Sequence, residues 1–380
     1  MRVVVAPDKF KGSLSAPEVT AHLAAGLTRA APGTEVVQVP VADGGDGTLD
    51  AAVSAGYRRV PVSAQGPTGE PVETAYAERN GTAVVEMADV SGLRRLPGAR
   101  SAARTASSYG TGEVIRAALD AGCRRIVLGI GGSASTDGGA GLVQALGARL
   151  RDAGGCEVGR GGAALAAVES LDLSGLHPAL RDADVVVASD VDNPLLGPRG
   201  AAAVYGPQKG ASPEDITELD AALARWANAV RAATGVDVAD RPGAGAAGGV
   251  GFAAMAVLGA TLRPGIDLVL DLVGFRAVLP GADLVVTGEG SLDEQTLHGK
   301  APAGVAAAAR GVDVPVVAVA GRSLLTHEDL APTGIRAAYA LTDIEPDPAR
   351  CMSEAGLLLE RLAERLAADW VPDEEQEPIT

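Results

Sequence analysis

Short apolar runs rich in β-branched residues recur near both ends of the chain. Arg2–Ala6, Val36–Val41, Asp283–Thr287, Val314–Ala320 and Ile335–Leu341 each read as a strand buried on both faces. A segment of helical periodicity follows each one: Ser15–Ala30, Gly47–Ala55, Ala301–Arg310, Leu324–Leu330 and Arg350–Ala368. Ser13 or Ser15 is placed to cap the first of these helices. Alternation of strand and helix predicts an α/β fold built on an open, doubly wound parallel sheet.

The second and third runs are separated by more than 200 residues, which is too long for a loop. The stretch between them carries its own strands. Arg58–Ser63, Pro71–Ala77 and Ala83–Ala88 come first, the last two joined at Asn80-Gly81 in the manner of a hairpin. Arg125–Ile130 and Asp184–Ser189 read as buried strands, and Pro213–Ala233 and Gly248–Gly259 as helices. The pattern predicts a discontinuous outer domain, residues 1–56 plus 283–380, with a mixed α/β domain, residues 57–282, inserted into it. The acidic end Val371–Thr380 reads as a frayed tail.

Composition narrows the function classes. The chain is 47% apolar but only 3% aromatic, so its cores must be made of Ala, Val and Leu. A formal charge of −16 with no basic stripe argues against nucleic acid as partner. It does not argue against a small anion, because local charge in a cleft can oppose the net sign. No apolar run approaches the roughly 18 residues of a membrane span, and the N-terminus lacks the apolar stretch of a signal peptide. Cys123, Cys156 and Cys351 are isolated, which suggests neither a disulfide framework nor a zinc site. A cytoplasmic protein without membrane partner is expected; monomer and homodimer both fit. The chain has 28 arginines but four lysines, Lys9, Lys11, Lys209 and Lys300, each in or beside a Gly-containing loop. A retained Lys suits a site that needs a compact, flexible ammonium.

Ligands of open α/β sheets bind beyond the carboxyl ends of the strands, and the polar residues gather there. Gly129-Ile130-Gly131-Gly132-Ser133-Ala134-Ser135-Thr136-Asp137-Gly138-Gly139 follows a strand and precedes a helix. Its glycines and hydroxyls suit an anion nest. Gly129–Ala134 also matches a dinucleotide fingerprint, but the predicted helix Gly139–Arg151 leads into Asp152-Ala153-Gly154-Gly155, not into a strand ending in an acid. Ser189-Asp190-Val191-Asp192-Asn193-Pro194 closes a strand with two carboxylates and an amide, groups that hold Mg²⁺ or accept a hydroxyl proton. Tyr205–Gly210 brings Lys209 to follow it. Asp43-Gly44-Gly45-Asp46-Gly47 suits a metal or substrate site as well as a helix start, and Glu289, Asp293, His298 and Lys300 occupy another strand exit. Ser107–Glu113, with Tyr109 and Thr111, reads as a helix entry whose hydroxyls cap the helix or touch substrate. Gly243–Gly251 is a further Gly-rich helix start. No Walker loop, H-E-x-x-H, G-x-S-x-G or protein-kinase signature is present.

Taken together, Ala6–Ser13, Ala42–Gly47, Gly131–Gly139, Ser189–Pro194 and Gly288-Glu289-Gly290 through Gly299-Lys300 resemble the glycerate kinase type 1 family, in order and spacing, from the N-terminus to about residue 365. The resemblance implies ATP-dependent phosphorylation of D-glycerate, at the 2-hydroxyl, with Mg²⁺. It also implies a flavodoxin-like domain carrying a second, inserted α/β domain, with the active site in the cleft between them. On that reading Lys9, Lys11, Lys209 and Lys300 neutralise the phosphates and the glycerate carboxylate, and Asp190 is the base. Asp43, Asp46, Asp192 and Glu289 are the candidate Mg²⁺ ligands. Asp8, Ser13, Gly44, Gly45, Tyr109, Thr111, Gly131, Gly132, Ser133, Ser135, Thr136, Asn193 and His298 are candidates to contact substrate or phosphate. Two other classes fit part of the pattern: a non-catalytic nucleotide or anion sensor, and an NAD(P)-dependent dehydrogenase.

Overall fold

The computed structural model describes residues 1–97 and 102–371, with the His298 side chain left out. In chain order the strands open with β1 (Arg2–Pro7), β2 (Glu35–Gln38), β3 (Arg58–Gln65), β4 (Pro71–Arg79) and β5 (Thr82–Glu86). Next come β6 (Arg125–Gly129), β7 (Arg149–Arg151), β8 (Ser170–Asp172), β9 (Asp184–Ala188) and β10 (Thr261–Arg263). The chain ends with β11 (Leu284–Leu292), β12 (Val316–Ser323) and β13 (Ile335–Ala340). These elements form two compact units. The first holds Met1–Asp43, Asp50–Ala55 and the described residues from Ile266 onward; the second holds Gly44–Leu49 and Gly56–Gly265.

The first unit is a five-stranded sheet in the order β13-β12-β11-β1-β2, with every neighbouring pair parallel. Renumbered within the unit, this is the flavodoxin-like order 2-1-3-4-5. The inner strands β1, β11 and β12 begin as apolar runs because both faces are covered, whereas the edge strand β2, expected to be buried over Val36–Val41, spans Glu35–Gln38 with both ends exposed, and the other edge strand, β13, exposes Arg336. Val4, Ala6, Val285 and Ala318 pack against Ile266, Leu270, Phe275 and Val305 on one face. Val3, Val5, Val286 and Val317 pack against Val19, Leu23, Leu359 and Leu362 on the other. The helix Ala16–Ala30 begins at a capping box in which Ser15 accepts from the Glu18 amide and Glu18 answers the Ser15 amide. It packs against the helix Ala355–Trp370, and His22 and Arg29 both reach Glu360, at 2.8 and 2.6 Å. The C-terminal segment predicted as one helix is two, Pro348–Ser353 and Ala355–Trp370, broken at Glu354.

The second unit has a mixed six-stranded sheet in the order β10-β9-β6-β5-β4-β3. β3, β4 and β5 are antiparallel, whereas β5, β6, β9 and β10 are parallel. Asn80 and Gly81, with φ of 52° and 75°, form the tight turn expected between β4 and β5. Ile115, Leu128, Leu142, Trp226 and Phe252 anchor its core. The helix after the Gly-rich loop is short, Ala140–Ala145, and Arg149–Arg151 then becomes β7 instead of continuing it. β7 pairs with β8 in a separate two-stranded sheet. The dinucleotide pattern therefore lacks its second sheet strand, as the sequence around Asp152–Gly155 indicates. No described helix is long and apolar enough to cross a membrane.

Candidate active site

In the second unit, β5, β6 and β9 end level, since Gly129 is in register with both Glu86 and Ala188. The Gly131–Gly139 loop leaves this edge and is built around Asp137. That buried carboxylate accepts from the Ser108 amide at 2.8 Å and hydroxyl at 2.9 Å, from the Ser107 hydroxyl, and from the amides of Gly139 and Gly141. Such a set of donors satisfies a charge that burial would otherwise make costly. Nothing in the sequence marked Asp137 as different from its neighbours.

Lys209 sits in the turn Pro207–Lys209 and is almost fully buried. Its ammonium donates to the Ser133 hydroxyl at 2.9 Å and to the Ser135 carbonyl. Burial pushes it down to about 7, with Asp137 pulling the other way. Nearby in the fold, the buried hydroxyls of Ser135, Thr136 and Ser189 have no hydrogen-bond partner among the described residues. They follow the carboxyl ends of the adjacent strands β6 and β9.

Asp190 is exposed just past β9, and its Oδ1 accepts from the Gly265 amide at 2.8 Å. Asp192 is 77% exposed and lies 3.5 Å from the Arg199 guanidinium. Asn193 donates to the Arg199 carbonyl at 2.8 Å and accepts from the Tyr205 hydroxyl at 2.6 Å. These two contacts fix the turn before Pro194. Thr111 is buried and donates to the Ser91 hydroxyl at 2.9 Å, and the Arg160 guanidinium covers the Tyr109 ring 3.3 Å from its centroid. Gly44 and Gly45 press against the glycines after β6: a Cβ on Gly131 would lie 2.7 Å from the Gly45 Cα. Gly132 adopts φ of 71° at the turn of that loop. Asp46 is held by Arg94.

The first unit gathers a different set at its own sheet edge. Asp8 follows β1 and Glu289 lies in β11; by alternation both point to the face of Val4 and Val285. Burial pushes the Asp8 carboxyl up to about 7; Lys9 opposes this, and Asp43 and Glu289 add to it. The Lys9 ammonium is 3.4 Å from Asp8 Oδ1. Glu289 is also raised by burial, opposed first by the Thr296 hydroxyl, which donates to it at 2.5 Å, and then by Lys300. Lys300 lies 3.5 Å from Glu289 and 3.7 Å from Asp293. Lys11 is exposed, and the Ser13 hydroxyl donates to the Met352 carbonyl at 2.8 Å. The His298 side chain lies outside the described residues.

The predicted residues thus fall into two groups. Asp8, Lys9, Asp43, Glu289 and Lys300 interact in the first unit; Ser133, Ser135 and Lys209 do so in the second, with Thr136 next along the same loop. Asp46 and Asp192 are each occupied by an arginine. Among the described residues no three His, Cys, Asp or Glu form a ready-made metal cage. The sequence reading missed Glu86, which is almost fully buried at the end of β5. Its only signal was a lone acid closing an apolar run.

Comparison with known proteins places this arrangement. The model of the glycerate kinase family matches residues 3–371. A glycerate kinase of Bacillus subtilis (strain 168) is 44% identical over 371 residues, covering 97% of each chain. A glycerate 2-kinase of Escherichia coli (strain K12) is 47% identical over 326 residues, covering 84% of this chain and 85% of its own. A crystal structure from Salmonella typhimurium LT2, assigned as glycerate kinase 2, superposes with a TM-score of 0.84 at 45% identity, covering 97% of this chain and 99% of its own.

Proposed function

Because the chain belongs to the glycerate kinase family, we propose that it transfers the γ-phosphoryl group of ATP to the 2-hydroxyl of D-glycerate, giving 2-phosphoglycerate and ADP. The observation that carries this reading is the buried Lys209 ammonium beside a Gly-rich loop whose Ser135 and Thr136 hydroxyls lack partners among the described residues. Unpaired buried donors and a buried cation are costly unless an anion completes them. A phosphate group is such an anion.

Phosphoryl transfer asks a protein mainly for positioning and charge neutralisation. The Ser133–Thr136 loop and Lys209 take phosphate oxygens. Lys9, Lys11 and Lys300 neutralise phosphate and the glycerate carboxylate. Asp190, oriented by the Gly265 amide, accepts the proton of the 2-hydroxyl as that oxygen bonds to the γ-phosphorus. The bond from the γ-phosphorus to the oxygen bridging to the β-phosphate breaks, and ADP leaves.

The residues also suit Mg²⁺. Asp8, Asp43 and Glu289 are oxygen donors, the latter two raising the proton affinity of Asp8, and a hard cation relieves such crowding. Mg²⁺ is commonly held by one or two carboxylates together with substrate phosphates, so a full protein cage is not needed. Asp43 and Glu289 would hold it, and it would neutralise charge on the phosphates. The three cysteines are unpaired, which supports a cytoplasmic location.

The test is direct. ATP, Mg²⁺ and D-glycerate are incubated with the protein, and the product is followed by ³¹P and ¹³C NMR. Phosphorus coupling to C2 and, through three bonds, to both C1 and C3 is expected. Coupling at C2 and C3 with none at the carboxylate carbon C1 would move the reaction to the other hydroxyl, and an unchanged substrate would end the kinase reading.

A further inference from the structure

Glu86 closes β5 and takes no part in the reaction described above. Its Oε2 accepts from the amides of Gly47 and Leu49, at 3.1 and 3.0 Å, and its Oε1 accepts from Arg94 at 3.3 Å. Gly47 and Leu49 belong to the short segment Gly44–Leu49, the one stretch between Asp43 and Asp50 that belongs to the second unit. That segment is pressed onto the loop after β6. The Gly129 and Gly131 Cα atoms leave no room for a Cβ against the Gly44 carbonyl and the Gly45 Cα. Inside the segment, the Thr48 hydroxyl donates to the Gly45 carbonyl at 2.7 Å. Glu86 is in register with Gly129, so it lies where the two glycine loops meet.

We propose that Glu86 is a positioning residue of the kinase: its carboxylate clamps Gly44–Leu49 onto the Gly129–Ser135 loop, so that two glycine loops present one phosphate-binding surface. The proposal rests on the kinase reading above. A surface made of backbone has no side chains to hold it in shape, and small misplacements of a bound phosphoryl group are costly in rate. Two amide bonds to one buried oxygen supply that rigidity. The charged groups facing Glu86 are Arg94, which attracts it, and Asp46 and Asp89, which repel it. Arg94 also binds Asp46 and, at 3.0 Å, Asp89, so the clamp is itself braced.

The experiment compares Glu86→Leu and Glu86→Gln with the wild type, by steady-state kinetics with ATP and D-glycerate and by hydrogen exchange of the full chain. Leu leaves both amides without an acceptor. Gln keeps an oxygen that can take both. Glu86→Leu is expected to lower kcat about 100-fold and to lose exchange protection in residues 43–49 while β4, β6 and β9 stay protected. Glu86→Gln is expected to recover at least tenfold of that loss and to restore the protection. If Glu86→Leu does not fold, Glu86→Gln decides alone: with residues 43–49 protected and activity still reduced 100-fold, the carboxylate acts chemically and the clamp is wrong. Loss of protection across the whole sheet in either variant would also overturn it, as would near-normal kcat in Glu86→Leu. An inactive wild type would instead remove the kinase reading and leave the exchange comparison standing.

Discussion

The Lys209 ammonium donates to the Ser133 hydroxyl at 2.9 Å, from a position with almost no solvent contact. A lysine placed in that way braces the Gly-rich loop, and under the proposed function it is also the cation for a phosphate. Its retention in a chain that uses arginine almost everywhere else follows, since a forked guanidinium needs room that this burial does not leave.

Lys209→Met is expected to lower kcat/KM for ATP by about 10²–10³, measured by coupled ADP release. The ammonium is held down to about 7, so its charge is present below that pH and lost above it. In the wild type, KM for ATP should rise as pH climbs from 6 to 8. The same profile in the Met variant should be flatter.

Asp190→Asn should cost about 10²–10⁴ in kcat and leave thermal stability nearly unchanged, because Asn can still accept from the Gly265 amide. Asp192→Asn should stay within about threefold of wild type, as Asp192 is exposed and faces Arg199; surface pairs of this kind contribute little. The reverse ranking in single-turnover assays would exchange the two roles.

Burial raises the Asp8 and Glu86 carboxyls to about 7 in the folded protein. Between about pH 4 and 7 the folded state therefore binds more protons than the unfolded one. Stability contributed by these groups is full at the acid end and is lost as pH rises through 7. For Glu86 the loss is on the order of 3 kcal/mol. Urea unfolding of Glu86→Gln should show a shallower fall between pH 5 and 7 than the wild type does.

Gly131→Ala should destabilise the protein by about 1–3 kcal/mol, because the new Cβ would meet the Gly45 Cα at 2.7 Å and backbone cannot move aside cheaply. Gly159→Ala, where nothing lies within 4 Å, is the control and should stay within about 0.5 kcal/mol. Calorimetric melting of the two variants separates crowding from the general effect of losing a glycine.

Much of the fold could be read from the chain because buried parallel strands are continuous apolar runs. β1, β6, β9 and β12 lie where Val and Ile cluster, within a residue or two of the predicted ends at most places. The segment Gly139–Arg151 was harder. Leu142, Val143, Leu146 and Leu150 recur at helical spacing, but Gly147 takes φ of 106° against the Gly175 carbonyl and turns the chain into β7. Only tertiary contact reveals that. Within the candidate site, Lys209 and Asp8 could be singled out in the sequence because their residue type suggests chemistry. The same was not possible for Asp137 and Glu86, whose roles come from the amides they accept, and amides carry no sequence signal. Ser13 and Thr111 look like ligand contacts in the sequence, yet their hydroxyls are engaged with Met352 and Ser91.

The first unit draws its strands from both ends of the chain, and this sets an order of events during synthesis. β1 is the fourth strand of five in space but the first to be made, and its inner neighbour β11 begins only at Leu284. At ribosomal speeds of about 5–20 residues per second, β1 and β2 wait on the order of 10–50 s for that neighbour. Meanwhile almost all of the second unit has emerged and can fold. The apolar run Val3–Ala6 thus keeps one strand edge without its native neighbour throughout that interval.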